Sequence, residues 1–229
     1  MAPSVAGAGP GESGRSFPWQ LVTVDIDGTL TRTHGWRGIA IAFGRLDDFE
    51  VSNRRFRAQE VGEDEHLRDL LDLATGHTVA EVEAVLARTP VLSGISEGVS
   101  EMCHRGAHVA LLTHNPSYVA NWYRRTFGFE DAEGVSGQPV EGGRIGPPKE
   151  VRADKPAGLR ALLSRFSVPA HRTAHVGDGW SDAEVFRLVG GGVALNSPLV
   201  EVDRAADLVL RTNDFRDVVA GLSRLSPRA

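Results

Sequence analysis

Cysteine, lysine and long apolar runs are the scarce features of this sequence, and each scarcity excludes something. Cys103 is the only cysteine among 229 residues, which rules out an intramolecular disulfide framework and a multi-cysteine zinc site, and fits a reducing compartment. No stretch reaches the roughly 18 to 20 consecutive apolar residues that a bilayer crossing requires, so no membrane partner is expected. Residues 1–18 are rich in Gly, Ala, Ser and Pro and have no apolar h-region of a secretory signal; they read as a disordered tail on a cytoplasmic protein. Basic excess is missing too. With 25 basic against 30 acidic residues the net charge is −5, and without a basic run there is no electrostatic footprint of a nucleic-acid binder. Lys149 and Lys155 are the only lysines, so a role that needs an ammonium has two candidates.

What remains is ordinary globular material. Hydrophobic residues make up 41% and charged residues 24%, as in soluble domains that fold by burial. At roughly 150 residues per domain the length suits one core plus a substantial insertion. Gln20 to Ile26 is short, apolar and β-branched, as in a strand buried on both faces, and it runs into acid. Similar runs at 107–112 and 172–176 end in Thr113-His114-Asn115-Pro116 and Gly177-Asp178-Gly179, and residues 192–195 and 207–210 add two short strands. Amphipathic helical patterns at 117–127, 156–166, 181–188 and 214–222 lie between or after them. Strands alternating with helices imply an α/β fold with a doubly wound parallel sheet.

Residues 27–106 are far more than one crossover needs. Helical periodicity at 35–44, 47–60, 65–74 and 78–88, with no convincing strand, marks an inserted α-helical cap over 33–99, leaving 19–32 and 100–229 as the α/β core. The stripes Leu67, Leu70, Leu71, Leu73 and Val79, Val82, Val85, Leu86 read as cap core. Between 135 and 148, Gly142-Gly143 flanked by short apolar segments predicts a hairpin.

Ligands of open parallel sheets bind beyond the carboxyl ends of the strands, so the polar turns should converge. They would bring together Asp25, Asp27, Thr113, Asp178 and Asp182. Four carboxylates in one crevice repel by about 1 kcal/mol per pair at 4 Å even in bulk water. A hard divalent cation would compensate, and Mg²⁺ suits a site with few carboxylates and retained waters.

Asp25-Ile26-Asp27-Gly28-Thr29-Leu30 resembles the first motif of the haloacid dehalogenase superfamily of phosphatases. Thr113 after an apolar strand is similar to its second motif, Lys155 to its third, and Gly177-Asp178-Gly179-Trp180-Ser181-Asp182 to its fourth, in order over residues 19–222. The helical insertion after the first motif resembles the cap of the phosphoserine-phosphatase-like subgroup. The resemblance implies a Mg²⁺-dependent phosphomonoester hydrolase acting on a small phosphorylated metabolite through an aspartyl phosphate. Asp25 would be the nucleophile and Asp27 the acid and base. Mg²⁺ would sit between the Asp25 carboxylate, the Asp27 carbonyl and Asp178, with Asp182 completing or orienting the shell. Gly28, Thr113 and Lys155 would bind phosphate. Lys155 is preferred to Lys149 because Pro156 places it, extended, at a helix entrance.

His34, Trp36, His114, Asn115 and Ser181 are candidate specificity residues, each with a packing or turn role as the alternative. The cap glutamate and arginine that phosphoserine phosphatases use fall at His34 and Leu70 here, and Thr113-His114-Asn115 replaces their Ser-Gly-Gly, so a different specificity is expected. A phosphotransferase or phosphomutase would share the same core residues. A non-catalytic binding protein is the third reading, and a dehalogenase is disfavoured because a halide leaving group gives Asp27 no task. The cap is expected to move as a lid.

Overall fold

The computed structural model describes residues 17–135 and 137–228. Six strands form one parallel sheet in the order β3-β2-β1-β6-β7-β8: β1 (Leu21–Val24), β2 (His108–Pro116), β3 (Asp131–Val135), β6 (Thr173–Gly177), β7 (Gly191–Leu195) and β8 (Leu208–Leu210). The strand leading into Asp25 is central. Its residues Leu21 to Val24 pair with His108 to Leu111 on one side and with Thr173 to Val176 on the other. Thus the turns after β1 and β6 and the end of β2 emerge side by side at one edge.

Alternation along β1 explains the layers. Leu21 packs with Leu159 and Leu162 of α7 (Lys155–Phe166) and with Val185 of α8 (Trp180–Phe186). Val22 and Val24 point the other way, to Val99 of α5 (Ile95–His104) and to Val218 and Leu222 of α10 (Arg216–Arg224). All four β1 residues are buried, and each of the three aliphatic side chains, Leu21, Val22 and Val24, stabilises the fold by about 1.5–3 kcal/mol. Two more helices, α6 (Ser117–Phe127) and α9 (Val200–Ala205), complete the layers.

Between β1 and α5 stand four helices, α1 (Gly35–Ala42), α2 (Leu46–Arg57), α3 (Glu63–Asp72) and α4 (Val79–Leu86). Ile39, Phe49, Leu71, Val82 and Leu86 are buried among them. A capping box, Thr78 with Glu81, starts α4. The chain leaves and re-enters the sheet layer through two adjacent segments, where Arg32 N donates to Pro90 O and Leu92 N to Leu30 O.

The hairpin β4 (Val140–Glu141) and β5 (Arg144–Ile145) forms where the Gly142-Gly143 pair predicts it, with both glycines at positive φ. It reaches back to the inserted helices: Gly76 N donates to Ile145 O, Ile145 N to His77 O, and Val79 N to Gly143 O. These backbone hydrogen bonds tie the α3–α4 turn to the hairpin.

Three expectations differ from the structure. Residues 1–16 of the expected tail lie outside the described residues, but Phe17 is buried with the Arg105 guanidinium over its ring, so packed structure begins before Trp19. The expected boundary between 99 and 100 falls inside α5, a continuous helix seated on α10 at Gly98 and Phe215. Strand β3 was not foreseen. Its sequence Asp-Ala-Glu-Gly-Val is half-buried throughout, because an edge strand has one solvated side and carries no apolar run.

Candidate active site

At the carboxyl edge of the sheet, directly after β1, Asp25 is buried and its N–H donates to Val176 O. Lys155, the first residue of α7, reaches it: Nζ lies 3.0 Å from Asp25 Oδ1 and 2.6 Å from Asp182 Oδ1. The helix start that delivers this lysine is specified locally. Asp154 caps it by accepting from Ala157 N, and Pro156 occupies its first turn.

Asp182 is saturated. Besides Lys155, its Oδ1 faces His175 Nε2 at 2.8 Å, while its Oδ2 accepts from Asp178 N at 3.0 Å and Gly179 N at 2.9 Å. His175 Nδ1 in turn meets Thr23 Oγ1 at 2.8 Å. Burial alone would push the Asp182 carboxyl up, but Lys155 and His175 outweigh it and hold it well below the usual carboxylate range. Burial likewise opposes the Lys155 charge, and the Asp182 and Asp25 carboxylates hold its ammonium firmly protonated.

Asp178 differs. Its Oδ1 accepts from Thr29 Oγ1 at 2.8 Å, and no cation of the described residues contacts it. Burial, then the nearby Asp182 and Asp25 charges, push its carboxyl well above the usual range. Burial also raises Asp25, with Asp182 and Asp27 adding to the shift against the pull of Lys155. Asp25, Asp178 and Asp182 each present an oxygen within 4.8 Å of the others. Only glycine is tolerated beside them at position 28, where φ is +82° and a Cβ would collide with the Asp178 carboxylate. The Gly28 N–H donates to Thr31 Oγ1 at 3.1 Å. This geometry lets Gly28 make room for the Asp178 carboxylate.

Asp27 turns toward the inserted helices. Gly35 N donates to its Oδ1 at 2.6 Å and Asn115 Nδ2 to its Oδ2 at 2.8 Å. Trp36 Nε1 donates to Asn115 Oδ1 at 2.9 Å, which fixes the amide's orientation. Asn115 also donates twice to Thr113 Oγ1, from N at 3.2 Å and from Nδ2 at 3.0 Å. Both donations fill lone pairs and leave the Thr113 hydroxyl hydrogen available to an acceptor in the cavity.

A cavity of about 220 Å³ connects these groups. Of the residues singled out in the sequence, Asp25, Asp27, His34, Trp36, Thr113, His114, Asn115, Lys155, Asp178, Ser181 and Asp182 line it, and Gly28 lines an adjoining groove with Asp27 and Asp178. Lys149 does not line it. A family profile of haloacid dehalogenase-like hydrolases matches residues 19–190. The chain belongs to this hydrolase family.

Relatives resemble it over most of this chain. The phosphoserine phosphatase of Methanocaldococcus jannaschii is 21% identical over 204 residues, covering 87% of this chain and 96% of that protein. A solved phospho-aspartyl intermediate analogue of phosphoserine phosphatase superposes with a TM-score of 0.74 at 20% identity, covering 89% of this chain and 98% of the other. A haloacid dehalogenase family hydrolase from Salmonella enterica serovar Typhi gives 0.75 at 14% identity, covering 83% and 66%. At these identities the structural likenesses establish a shared fold.

The cavity of this family member has a far wall that sequence reading missed, made of Phe56, Glu63 and His66 with Leu67 and Leu70, which were read as cap core, Leu70 also as the counterpart of an arginine. Phe56 stacks on His66 with centroids 4.4 Å apart. The signal was the polar His66 inside the Leu67, Leu70, Leu71 face of α3. His175 was also missed, and its position in an otherwise apolar strand before Gly177-Asp178 was the available clue. Burial, followed by the nearby His34, depresses His66 from 6.5 to about 4. A depressed histidine favours the fold when neutral, so stability is full above about pH 6.5 and falls as pH drops toward 4. Urea melts at stepped pH should show this decline in the wild type and a shallower one in His66→Gln.

Proposed function

We propose that the chain is a Mg²⁺-dependent phosphomonoester hydrolase acting on a small phosphorylated metabolite through a phosphorylated Asp25. The observation that carries this reading is the Asp25 carboxylate at the end of the central strand, 3.0 Å from a buried ammonium and grouped with Asp178. The all-oxygen donor set fits Mg²⁺, and Asp178, half-buried and contacted by no cation among the described residues, supplies the charge such an ion would neutralise. Asp25, the Asp27 carbonyl and Asp178 would hold it. Asp182, whose oxygens are taken by Lys155, His175 and two N–H groups, would orient that shell from behind. Bound there, the ion would shield the negative charge that otherwise repels nucleophile from phosphate.

In the first step an Asp25 oxygen bonds to phosphorus and the ester P–O bond breaks. The departing oxygen takes a proton from Asp27 and leaves as the alcohol. A water then bonds to phosphorus, giving its proton to Asp27, and the bond from phosphorus to Asp25 breaks to release inorganic phosphate. Asn115 and the start of α1 keep Asp27 in place for both transfers, while Thr113 and Lys155 face the phosphate oxygens. Helices α1–α4 serve as the cap, excluding bulk water from the cavity.

Mg²⁺ at about 100 times its dissociation constant should stabilise the fold by about 2.7 kcal/mol. In a protein of this size that raises Tm by about 5–10 °C. EDTA should remove both this shift and the hydrolysis of p-nitrophenyl phosphate; turnover undiminished by EDTA would contradict the metal assignment.

A further inference from the structure

We propose that the physiological substrates are monophosphate esters of small amino alcohols that carry no carboxylate or second phosphate, with the ammonium seated beside Glu63 and His66. The inference rests on the phosphatase reading and deepens it.

Size limits the leaving group first. A cavity of about 220 Å³ lies below the roughly 300–1,000 Å³ of pockets that hold drug-sized ligands, and the phosphate takes part of it. Charge limits it next. Asp25, Asp27, Asp178, Asp182 and Glu63 all line the cavity, whereas Lys155 is its only lysine or arginine among the described residues, already bound to Asp25 and Asp182. Arg152 lines a neighbouring groove that shares Thr113, His114 and Lys155, and does not line the cavity. Of the imidazoles, His34 stands 3.8 Å from Asp27 and His114 stands 3.3 Å from Glu63. A carboxylate on the leaving group would thus enter a region dominated by negative charge, with no lysine or arginine among the described residues free to receive it; His114 Nε2, buried and without a hydrogen-bond partner, sits on a ring whose Nδ1 faces Glu63.

The far wall instead offers acceptors on an apolar bed. Ser52 Oγ donates to Asp69 Oδ2 at 2.8 Å, so the Ser52 oxygen is left to accept from His66 Nδ1 at 2.9 Å. In the neutral ring this puts the hydrogen on Nδ1 and leaves Nε2 a lone-pair acceptor. Burial keeps His66 neutral at pH 7. Glu63, at the start of α3, supplies a carboxylate, and Phe56, stacked on His66, forms part of the apolar bed beside it. Leu67 and Leu70 pack the short carbon chain. An ammonium satisfies both polar features at once, whereas an uncharged hydroxyl gains less from a carboxylate.

Initial rates with Mg²⁺ on p-nitrophenyl phosphate, O-phosphoethanolamine, glycerol phosphate and O-phosphoserine test this. The kcat/KM for O-phosphoethanolamine should exceed those for the glycerol and serine esters by about tenfold. Glu63→Gln should lower the ratio of the ethanolamine to the glycerol ester about fivefold to tenfold, whereas Arg152→Ala should leave that ratio unchanged. Glu63 is exposed enough for its substitution to spare the fold. Hydrolysis of p-nitrophenyl phosphate with O-phosphoserine or glycerol phosphate preferred, or with a ratio insensitive to Glu63→Gln, would overturn the inference alone. No turnover of any of the four esters would overturn the phosphatase reading itself, and the inference with it.

Discussion

Asp25→Asn should slow phosphate release from every ester the enzyme accepts by about four orders of magnitude or more, the scale seen when a nucleophile is removed from a working catalytic group. The amide has nearly the shape of the carboxylate but cannot form the acyl phosphate. Folding should survive, because Lys155 keeps its 2.6 Å contact with Asp182 and the carboxylate removed is one that burial disfavours. Thermal melts without metal should therefore show a Tm equal to or above the wild type's. Loss of activity with loss of fold would mean that Asp25 is structural; retained activity would remove it from the chemistry.

Asp182→Ala should act in the opposite way, through the fold first. One carboxylate meets Lys155, His175 and the N–H groups of Asp178 and Gly179. Removing it leaves a buried ammonium with one partner and a buried imidazole with an unmet Nε2, a loss of about 3–5 kcal/mol. Urea denaturation should read that loss as a lower midpoint with an unchanged slope. The acid limb should change as well. A carboxyl held below its usual value contributes stability above its unfolded pKa, and that stability is lost as pH falls through the lower folded value. Wild type should show this decline and the variant should not. Asp178→Asn is the contrast, since no cation among the described residues contacts Asp178 and Lys155 offsets its raised carboxyl only in part: stability without metal should hold or rise, while the Mg²⁺-dependent Tm shift should disappear. An Asp182→Ala protein as stable as wild type would contradict the role assigned to this carboxylate.

Strand-end acids were legible because their setting is local. An apolar, β-branched run that stops at Asp25-Ile26-Asp27-Gly28 can be read without knowing what it faces, and the same holds for Gly177-Asp178. Lys155 followed by Pro156 was legible for the same reason, as was the hairpin at Gly142-Gly143. Partnerships across the chain were not. The division of labour between Asp178 and Asp182 depends on which one Lys155 and His175 reach, and nothing in their spacing tells that. Glu63 and His66 look like ordinary surface and core positions of α3 until the helix is laid against His114 and Phe56. Strand β3 and the short helix α9 carry too few apolar residues to announce themselves. The clamp of the hairpin on the α3–α4 turn consists of backbone hydrogen bonds, which leave no trace in side-chain pattern.

Covalent capture of the phosphorylated enzyme tests the central claim most directly. Protein turning over p-nitrophenyl phosphate with Mg²⁺ is quenched and treated with borohydride, which reduces an acyl phosphate to an alcohol, and the digest is read by mass spectrometry. Homoserine at position 25 that appears only with substrate and Mg²⁺ is the expected result. Steady turnover with Asp25 recovered unreduced, or with the reduction at another carboxylate, would contradict the account.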